Sequence, residues 1–293
     1  MIIIRLIGGL GNQLFQYAFA RSLAISNNYD FKIDISEFEH YKLHNYSLNH
    51  FNIIENIATE SDIEKYNFKI YKWVNRIHLL DNIIPLNKRS IVYERKPFEY
   101  DEKLLNVSND TYIIGYFQNE KYFKNIRNVL INDFKIKNDI YGENGMIADK
   151  IKRSNSVSIH IRRGDYINNE NTNNIHGTCN LNYYKKSMDM INKKISNPTY
   201  FVFSDDIKWA KSNIVTAKDL FFIDNNNAST NYEDLRLMSL CKINIIANST
   251  FSWWSAWLNN NPNKLVIAPK RWFKDPQKNK MSLNIVPKSW YRI

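Results

Sequence analysis

Ser156-Val157-Ser158-Ile159-His160-Ile161-Arg162-Arg163-Gly164-Asp165 is the stretch of the chain richest in chemistry. Val157, Ile159 and Ile161 alternate with Ser158, His160 and Arg162, so a strand here carries an imidazole and a guanidinium on one face. A turn at Gly164 then brings a carboxylate, Asp165, to the same strand end. Arginine suits phosphate, because its planar fork gives two parallel N–H bonds to two oxygens. The same residues could also form a purely structural Arg–Asp pair. Two further apolar runs end in polar groups. Phe201-Val202-Phe203 leads into Ser204-Asp205-Asp206, and Ile243 to Ala247 leads into Asn248-Ser249-Thr250-Phe251-Ser252. Adjacent carboxylates diverge, so Asp205 and Asp206 fit a base, a ribose or a helix cap as well as a metal. Hydroxyls and unpaired N–H groups at a helix start, here Ser249 and Thr250, make an anion site or an ordinary cap. Trp253, Trp254 and Trp257 read as core.

Near the start, Gly8-Gly9-Leu10-Gly11-Asn12-Gln13 breaks a β-branched run, Ile2 to Ile7, and opens a helix. Gly9 and Gly11, with Asp34 as a ribose acid, suggest a dinucleotide fingerprint, but Leu14 stands where its third glycine belongs. The loop is either a ligand-facing turn or a tight turn without a ligand. No HExxH, CxxC, Walker A or GxSxG pattern occurs, and the six histidines lack metal-ligand spacing.

The elements that must position these residues alternate. After the Gly-rich turn, Leu14, Phe15, Ala18, Phe19, Ser22 and Leu23 recur at helical spacing up to Asn27-Asn28, and Phe31 to Ile35 reads as a strand. Residues 36–110 are harder to read, with helices around 60–80. Thr111 to Phe117 reads as a strand, Glu120 to Phe134 as a helix and Lys135 to Asn144 as a linker. Strands follow at Val157–Ile161, Tyr200–Phe203, Leu220–Ile223, Ile243–Ala247 and Leu265–Ala268. Helices separate them at Tyr183–Ile195, from Thr230 to about Cys241 behind a Thr230/Glu233 capping box, and from Ser249 or Thr250 to Leu258. This rhythm predicts α/β domains with doubly wound parallel sheets, one over 1–148 and one over 149–293. Ligands of such sheets bind beyond the carboxyl ends of the strands, where the residues above fall.

The chain has 293 residues, 40 Lys+Arg against 29 Asp+Glu, a net charge of +11 and 44% hydrophobic residues, which excludes a disordered chain. Two cysteines, Cys179 and Cys241, make no disulfide framework and are expected reduced and buried. No apolar run is long enough to span a membrane, and Met1-Ile2-Ile3-Ile4-Arg5 is too short for a secretory signal, so a cytoplasmic protein is expected. The positive charge suits phosphate-bearing partners or an anionic surface. A nucleic-acid-binding protein is a rival reading, opposed by lysines and arginines read as spread along the chain without a cluster and by the lack of a nucleic-acid motif.

Four segments together resemble the α-1,2-fucosyltransferases of glycosyltransferase family 11. They are Gly8-Gly9-Leu10-Gly11-Asn12-Gln13-Leu14-Phe15-Gln16-Tyr17, Gly115-Tyr116-Phe117-Gln118, His160-Ile161-Arg162-Arg163-Gly164-Asp165-Tyr166 and Asn248-Ser249-Thr250-Phe251-Ser252-Trp253-Trp254. The resemblance implies a GT-B fold, two Rossmann-like domains facing a central cleft, with an acceptor-side N-terminal domain and a C-terminal domain that binds GDP-β-L-fucose. It implies inverting transfer of fucose to the 2-hydroxyl of a terminal galactose, without a divalent metal or other cofactor. On this reading Arg162 and Arg163, with the helix start at Ser249, Thr250 and Phe251, stabilise the departing diphosphate. His160 and Asp205 or Asp206 hold the nucleoside, and Asp165 is the candidate base or orients an arginine. Gly11, Asn12 and Gln13 close over fucose or acceptor. The partners implied are GDP-fucose and a galactose-terminated glycan, with no nucleic acid. The absent signal peptide and span suggest a bacterial enzyme, for which O-antigen synthesis and peripheral contact with inner-membrane lipid-linked glycans are expected. A GT-B enzyme using another nucleotide sugar is the alternative, because the residues alone do not separate guanine from another base.

Overall fold

Ile2, Ile3 and Ile4 are fully buried, as strand residues are when both faces of a parallel sheet are covered. In the computed structural model, which describes residues 1–40, 43–66, 85–164 and 170–293, they lie in strand β1 (Ile2–Arg5). Helix α1 (Leu10–Asn27) and strand β2 (Phe31–Asp34) complete the expected strand–helix–strand unit. Asn28 stops α1 in a left-handed conformation (φ 54°), its N–H turned back to the Ala24 and Ile25 carbonyls. Helix α2 (Glu60–Glu64), strands β3 (Ile91–Tyr93) and β4 (Tyr112–Ile114), and helix α3 (Arg127–Asp133) follow. The sheet order is β2-β1-β4-β3, with every pairing parallel. Phe19 of α1 stacks on Phe117 just past β4, ring centroids 3.9 Å apart, so the helix and the loop after β4 share one core. The helix expected over Glu120 to Phe134 is two short 3-10 turns followed by α3. Of the helices expected around 60–80, α2 is present behind a Thr59–Asp62 capping box, and residues 67–84 lie outside the described residues.

The chain divides into two compact units, Met1–Lys135 and Ile136–Ile293. Helix α4 (Gly142–Arg153) opens the second unit, where part of a linker was expected. The expected boundary at 148/149 falls inside this helix. Ala148 and Ile151 pack in one cluster with Phe201 and Phe203, and that burial assigns the whole helix to the second unit.

Then come β5 (Asn155–Ile161), α5 (Glu170–His176), α6 (Leu181–Lys194), β6 (Pro198–Ser204), α7 (Ile207–Asn213) and β7 (Leu220–Ile223). The chain continues through α8 (Asn231–Leu240), β8 (Ile243–Ile245), α9 (Thr250–Leu258), β9 (Leu265–Ala268), α10 (Pro276–Met281) and β10 (Tyr291–Arg292). The order is β10-β9-β8-β5-β6-β7, all parallel. Counting from β5, that is the order of the dinucleotide-binding fold, whose direction of winding reverses between β5 and β8. The two sheet faces are sorted by residue parity. Val157, Ile159 and Ile161 pack with Tyr183, Met188 and Ile191 of α6, while Phe201 and Phe203 face α4 and Leu237 and Met238 of α8.

The polar residues of β5 are buried too. Asn244 Nδ2 donates to Ser158 Oγ (2.8 Å), and Asn259 Nδ2 donates to Asn244 Oδ1 (2.8 Å), so a polar ladder is satisfied inside the core. Trp253, Trp254 and Trp257 are core, as expected. The capping box at Thr230 does not form. The Thr230 hydroxyl accepts the Asn227 N–H (2.9 Å) instead, and Glu233 pairs with Arg236. Cys241 is buried, Cys179 is half-buried, and both are free thiols.

Candidate functional site

In the second unit the carboxyl ends of β5, β6 and β8 gather most of the chemistry read from the sequence. Arg162 leaves the end of β5 and pairs with Asp205 at the end of β6, Nη1 to Oδ2 at 3.1 Å. Arg163 donates through Nε to Asp206 Oδ2 (3.2 Å), its guanidinium carbon 3.9 Å from the centre of the Trp209 ring. Asp205 Oδ1 accepts the Arg163 N–H (2.8 Å), and Asp206 Oδ1 caps α7 by accepting the Trp209 N–H (3.1 Å). A Cβ on Gly164 would come within 2.9 Å of Asp205 Oδ2, so only glycine leaves that carboxylate in place. Asp205 and Asp206 therefore hold the arginines. This positioning role stands beside the nucleoside contact expected of one of them. Arg163 is likewise pinned by ring and carboxylate.

His160 has its ring inside the protein, 5.6 Å from the Phe251 ring in the first turn of α9, which joins the β5 end to the helix that follows β8. Among the described residues its buried Nδ1 has no hydrogen-bond partner. Burial, and then Arg162, push its pKa down to about 3, so the ring is neutral at working pH. Ser249 is the N-cap of α9 in an extended conformation, but its own side chain makes no capping hydrogen bond and the first turn holds no acid. The positive end of the helix dipole is thus left for an anion. Asn248 anchors this corner, its Nδ2 donating to the Gly177 (3.1 Å) and Trp272 (3.0 Å) carbonyls. Asp165 lies outside the described residues.

One carboxylate of this unit escaped the sequence reading. Asp234, in the first turn of α8 beyond β7, accepts from Asn226 Nδ2 (2.7 Å) through one oxygen. Burial raises its pKa to about 6 against the lowering by that hydrogen bond, and neighbouring Glu233 adds to the rise. A strand end followed by an acid in the first turn of the next helix was the available signal.

The first unit treats its polar residues differently. Gly8 takes φ +79°, a conformation glycine adopts freely, and α1 begins at Leu10, so Gly11, Asn12 and Gln13 form its first turn. Gln13 is fully buried. Its Nε2 donates to the Gly8 (2.8 Å) and Asn45 (2.9 Å) carbonyls and its Oε1 accepts the Ser47 N–H (2.9 Å). It fastens the loop and is not offered to a ligand, which corrects the expectation that it closes over a sugar. Gln16 ties the Ile7 N–H (3.0 Å) to the Gly115 carbonyl (3.0 Å), and Gln118 donates to Asn12 Oδ1 (2.9 Å). The Gly-rich turn and the loop after β4 are therefore sewn together. Glu94, also missed, accepts the Tyr116 (2.7 Å) and Phe117 (3.0 Å) N–H groups and so holds Phe117 at φ +53°. Asp34 is buried, accepting from the Tyr112 hydroxyl and the Ser36 N–H (2.9 Å), and is not available to a ribose.

Among the described residues no group of three or more His, Cys, Asp or Glu is arranged to hold a metal ion, and no helix is long and apolar enough to cross a membrane.

The structure is similar to that of an Arabidopsis thaliana FUT1 mutant in complex with GDP, with a TM-score of 0.51 at 9% identity over 90% of this chain and 69% of that one. The fold is thus of the α/β GT-B type found in glycosyltransferases. The whole chain, residues 1–293, matches glycosyl transferase family 11, and it belongs to that family. It is 38% identical over 300 residues to an α-1,2-colitosyltransferase of Escherichia coli, covering 100% of this chain and 99% of that one. It is 34% identical to WbnK, an O-antigen biosynthesis glycosyltransferase of Escherichia coli, covering 98% of each. A galactoside α-(1,2)-fucosyltransferase 2 of Hylobates lar is 23% identical over 87% of this chain and 68% of its own length.

Proposed function

We propose that the protein transfers L-fucose, with inversion, from GDP-β-L-fucose to the 2-hydroxyl of a terminal galactose on a glycan precursor at the cytoplasmic side of the membrane. The observation that carries the donor end is the meeting of the Arg162 end of β5 with the uncapped start of α9, joined by the His160–Phe251 ring contact where the winding reverses. As the sugar's C1–O bond breaks, negative charge develops on the departing diphosphate. Arg162 and the N–H groups of Thr250 and Phe251 are placed to stabilise that charge, the role worth most to turnover. His160 Nδ1, neutral and unpartnered, is available to the nucleoside. Asp234 has one oxygen left for the N1–H and amino group of guanine. Asp165 takes the proton of the attacking hydroxyl. Acceptor choice falls to the first unit.

The reaction proceeds without a divalent metal. In support, the adjacent carboxylates Asp205 and Asp206 are already neutralised by Arg162 and Arg163, so a cation there would have to displace an arginine.

A second reading has a specific observation behind it, the 38% identity to a colitosyltransferase. Colitose is L-fucose without its 3-hydroxyl. The deciding experiment is transfer from GDP-fucose and from GDP-colitose to a β-galactoside, with the linkage read by NMR. A site that hydrogen-bonds the 3-hydroxyl rejects the deoxy sugar by roughly 10⁴-fold, because its polar groups are left unpaired. Transfer from GDP-fucose to O2 of galactose supports the proposal, whereas transfer from GDP-colitose alone replaces the sugar. Transfer from neither overturns both.

A further inference from the structure

Charge is not spread evenly along this chain, contrary to expectation. Residues 264–293 hold eight Lys and Arg against one acid, Asp275, so a tenth of the chain carries +7 of the net +11. Two of the eight serve the fold. Lys264 Nζ donates to the Ala256 (2.8 Å), Trp257 (3.1 Å) and Asn259 (3.0 Å) carbonyls at the end of α9. Arg292 bridges the Leu283 (3.0 Å) and Lys270 (2.9 Å) carbonyls. The other six, Lys270, Arg271, Lys274, Lys278, Lys280 and Lys288, are exposed, and among the described residues none pairs with a carboxylate, Arg271 donating to the Lys274 carbonyl (2.7 Å) and Lys274 to Asn174 Oδ1 (3.4 Å).

The hydrogen bonds bring this segment to one surface. The Arg292 fork holds Lys270 beside Leu283. Asn279 Oδ1 accepts the Trp272 N–H (2.8 Å), docking α10 on the turn that carries Lys270 and Arg271. With Asn279 facing inward, Lys278, Lys280 and Met281 are left exposed. Met281 is 44% and Leu283 50% exposed, so apolar side chains stand among the cations. Asp275, the one acid, is occupied in capping α10 through the Lys278 N–H (2.7 Å).

We propose that this surface docks the protein on an anionic lipid bilayer, the lysines and arginines meeting headgroup phosphates while Met281 and Leu283 enter the interface. A cluster of this size, without interspersed acids and beside exposed apolar groups, matches what a negatively charged leaflet selects. A nucleic acid would use the charge but leave Met281 and Leu283 in water. The surface adjoins the candidate site in the same unit, because Asn248 at the end of β8 is bonded to the Trp272 carbonyl. Its binding is independent of which nucleotide the site takes.

The test is sedimentation of the full chain with vesicles of phosphatidylcholine, with and without phosphatidylglycerol, at low and at physiological salt. The double variant Lys278→Glu/Lys280→Glu is compared with Lys152→Glu/Arg153→Glu, which makes the same charge change on α4. Circular dichroism and nucleotide titration of each variant report folding and the donor site separately. The proposal expects binding that needs phosphatidylglycerol, weakens with salt and falls roughly 30-fold or more in the α10 variant, at about tenfold for each 1.4 kcal/mol and about 1 kcal/mol per cation. The α4 variant should stay within about threefold of the parent. Equal losses in both variants, binding indifferent to phosphatidylglycerol, or tighter retention of single-stranded RNA through the same lysines would each overturn it.

Discussion

The two units hold Gln- and Arg-rich motifs at equivalent places, the carboxyl ends of parallel strands, and use them in opposite ways. In the first, Gln13, Gln16 and Gln118 spend their amide groups on backbone carbonyls, N–H groups and Asn12. In the second, Asp205 and Asp206 hold the arginines, while among the described residues His160 Nδ1 has no hydrogen-bond partner and the Ser249 side chain leaves the start of α9 uncapped. A polar motif next to a strand end is thus as readily scaffold as site. What separates the two is unspent hydrogen-bonding capacity at a buried position, where leaving it unspent is costly unless a ligand arrives.

That contrast can be broken by mutation. Arg162→Ala should lower turnover by roughly 100-fold or more at saturating donor, the scale of losing one transition-state donor. Near-normal turnover in a folded variant would remove Arg162 from the chemistry. Asp165→Asn should cost about 100-fold in turnover with GDP affinity intact if Asp165 is the base. A parallel fall in affinity would make it an arginine-orienting residue instead.

Asp234→Asn should weaken GDP about tenfold, the worth of a hydrogen bond to a charged group. In the parent, GDP affinity should fall as pH drops below about 6, because the carboxylate that accepts from guanine becomes protonated. The variant should lose that dependence, and an unchanged pH profile would exclude Asp234 from base recognition. His160→Phe should weaken GDP by a few-fold, up to tenfold, with turnover at saturation little changed. The parent's stability should also fall as pH drops from about 6.5 toward 3, since the unfolded histidine takes up a proton that the buried ring refuses. Denaturant titrations of the His160→Phe variant should show that slope reduced.

Gln13→Ala marks the small end for binding. It should reduce stability by about 1–3 kcal/mol, because two carbonyls and an N–H lose their partner, yet leave GDP affinity within about twofold. A large loss of affinity without loss of stability would make the first-unit loop part of the donor site and erase the contrast.

The sequence displayed β5, β6 and β8 because runs such as Val157–Ile161 and Tyr200–Phe203 are β-branched or aromatic and bounded by polar turns. It hid β3 and β10, of three and two residues, which are strands only through their parallel neighbours. The first three residues of helix α4 read as linker because Gly142 and Asn144 lower helix propensity, and the packing of Ala148 and Ile151 overrides that. At the site, the types and strand positions of His160, Arg162 and Ser249 were legible. Which carboxylate partners which arginine was not, since the ends of β5 and β6 meet only through the sheet register, His160 opposite Phe203 and Ile161 opposite Ser204. Nor could spacing tell that Gln13 points into the loop, a matter of where residues 45–47 return.

Calorimetric titration of the full chain with GDP, UDP and ADP in the presence of EDTA tests the central claim most directly. The proposed donor site, with Arg162 and the start of α9 on the diphosphate and Asp234 on guanine, predicts binding of GDP alone, undiminished by the chelator and much weaker in Arg162→Ala. Equal or tighter binding of UDP or ADP, or no binding until a divalent metal is supplied, would contradict it.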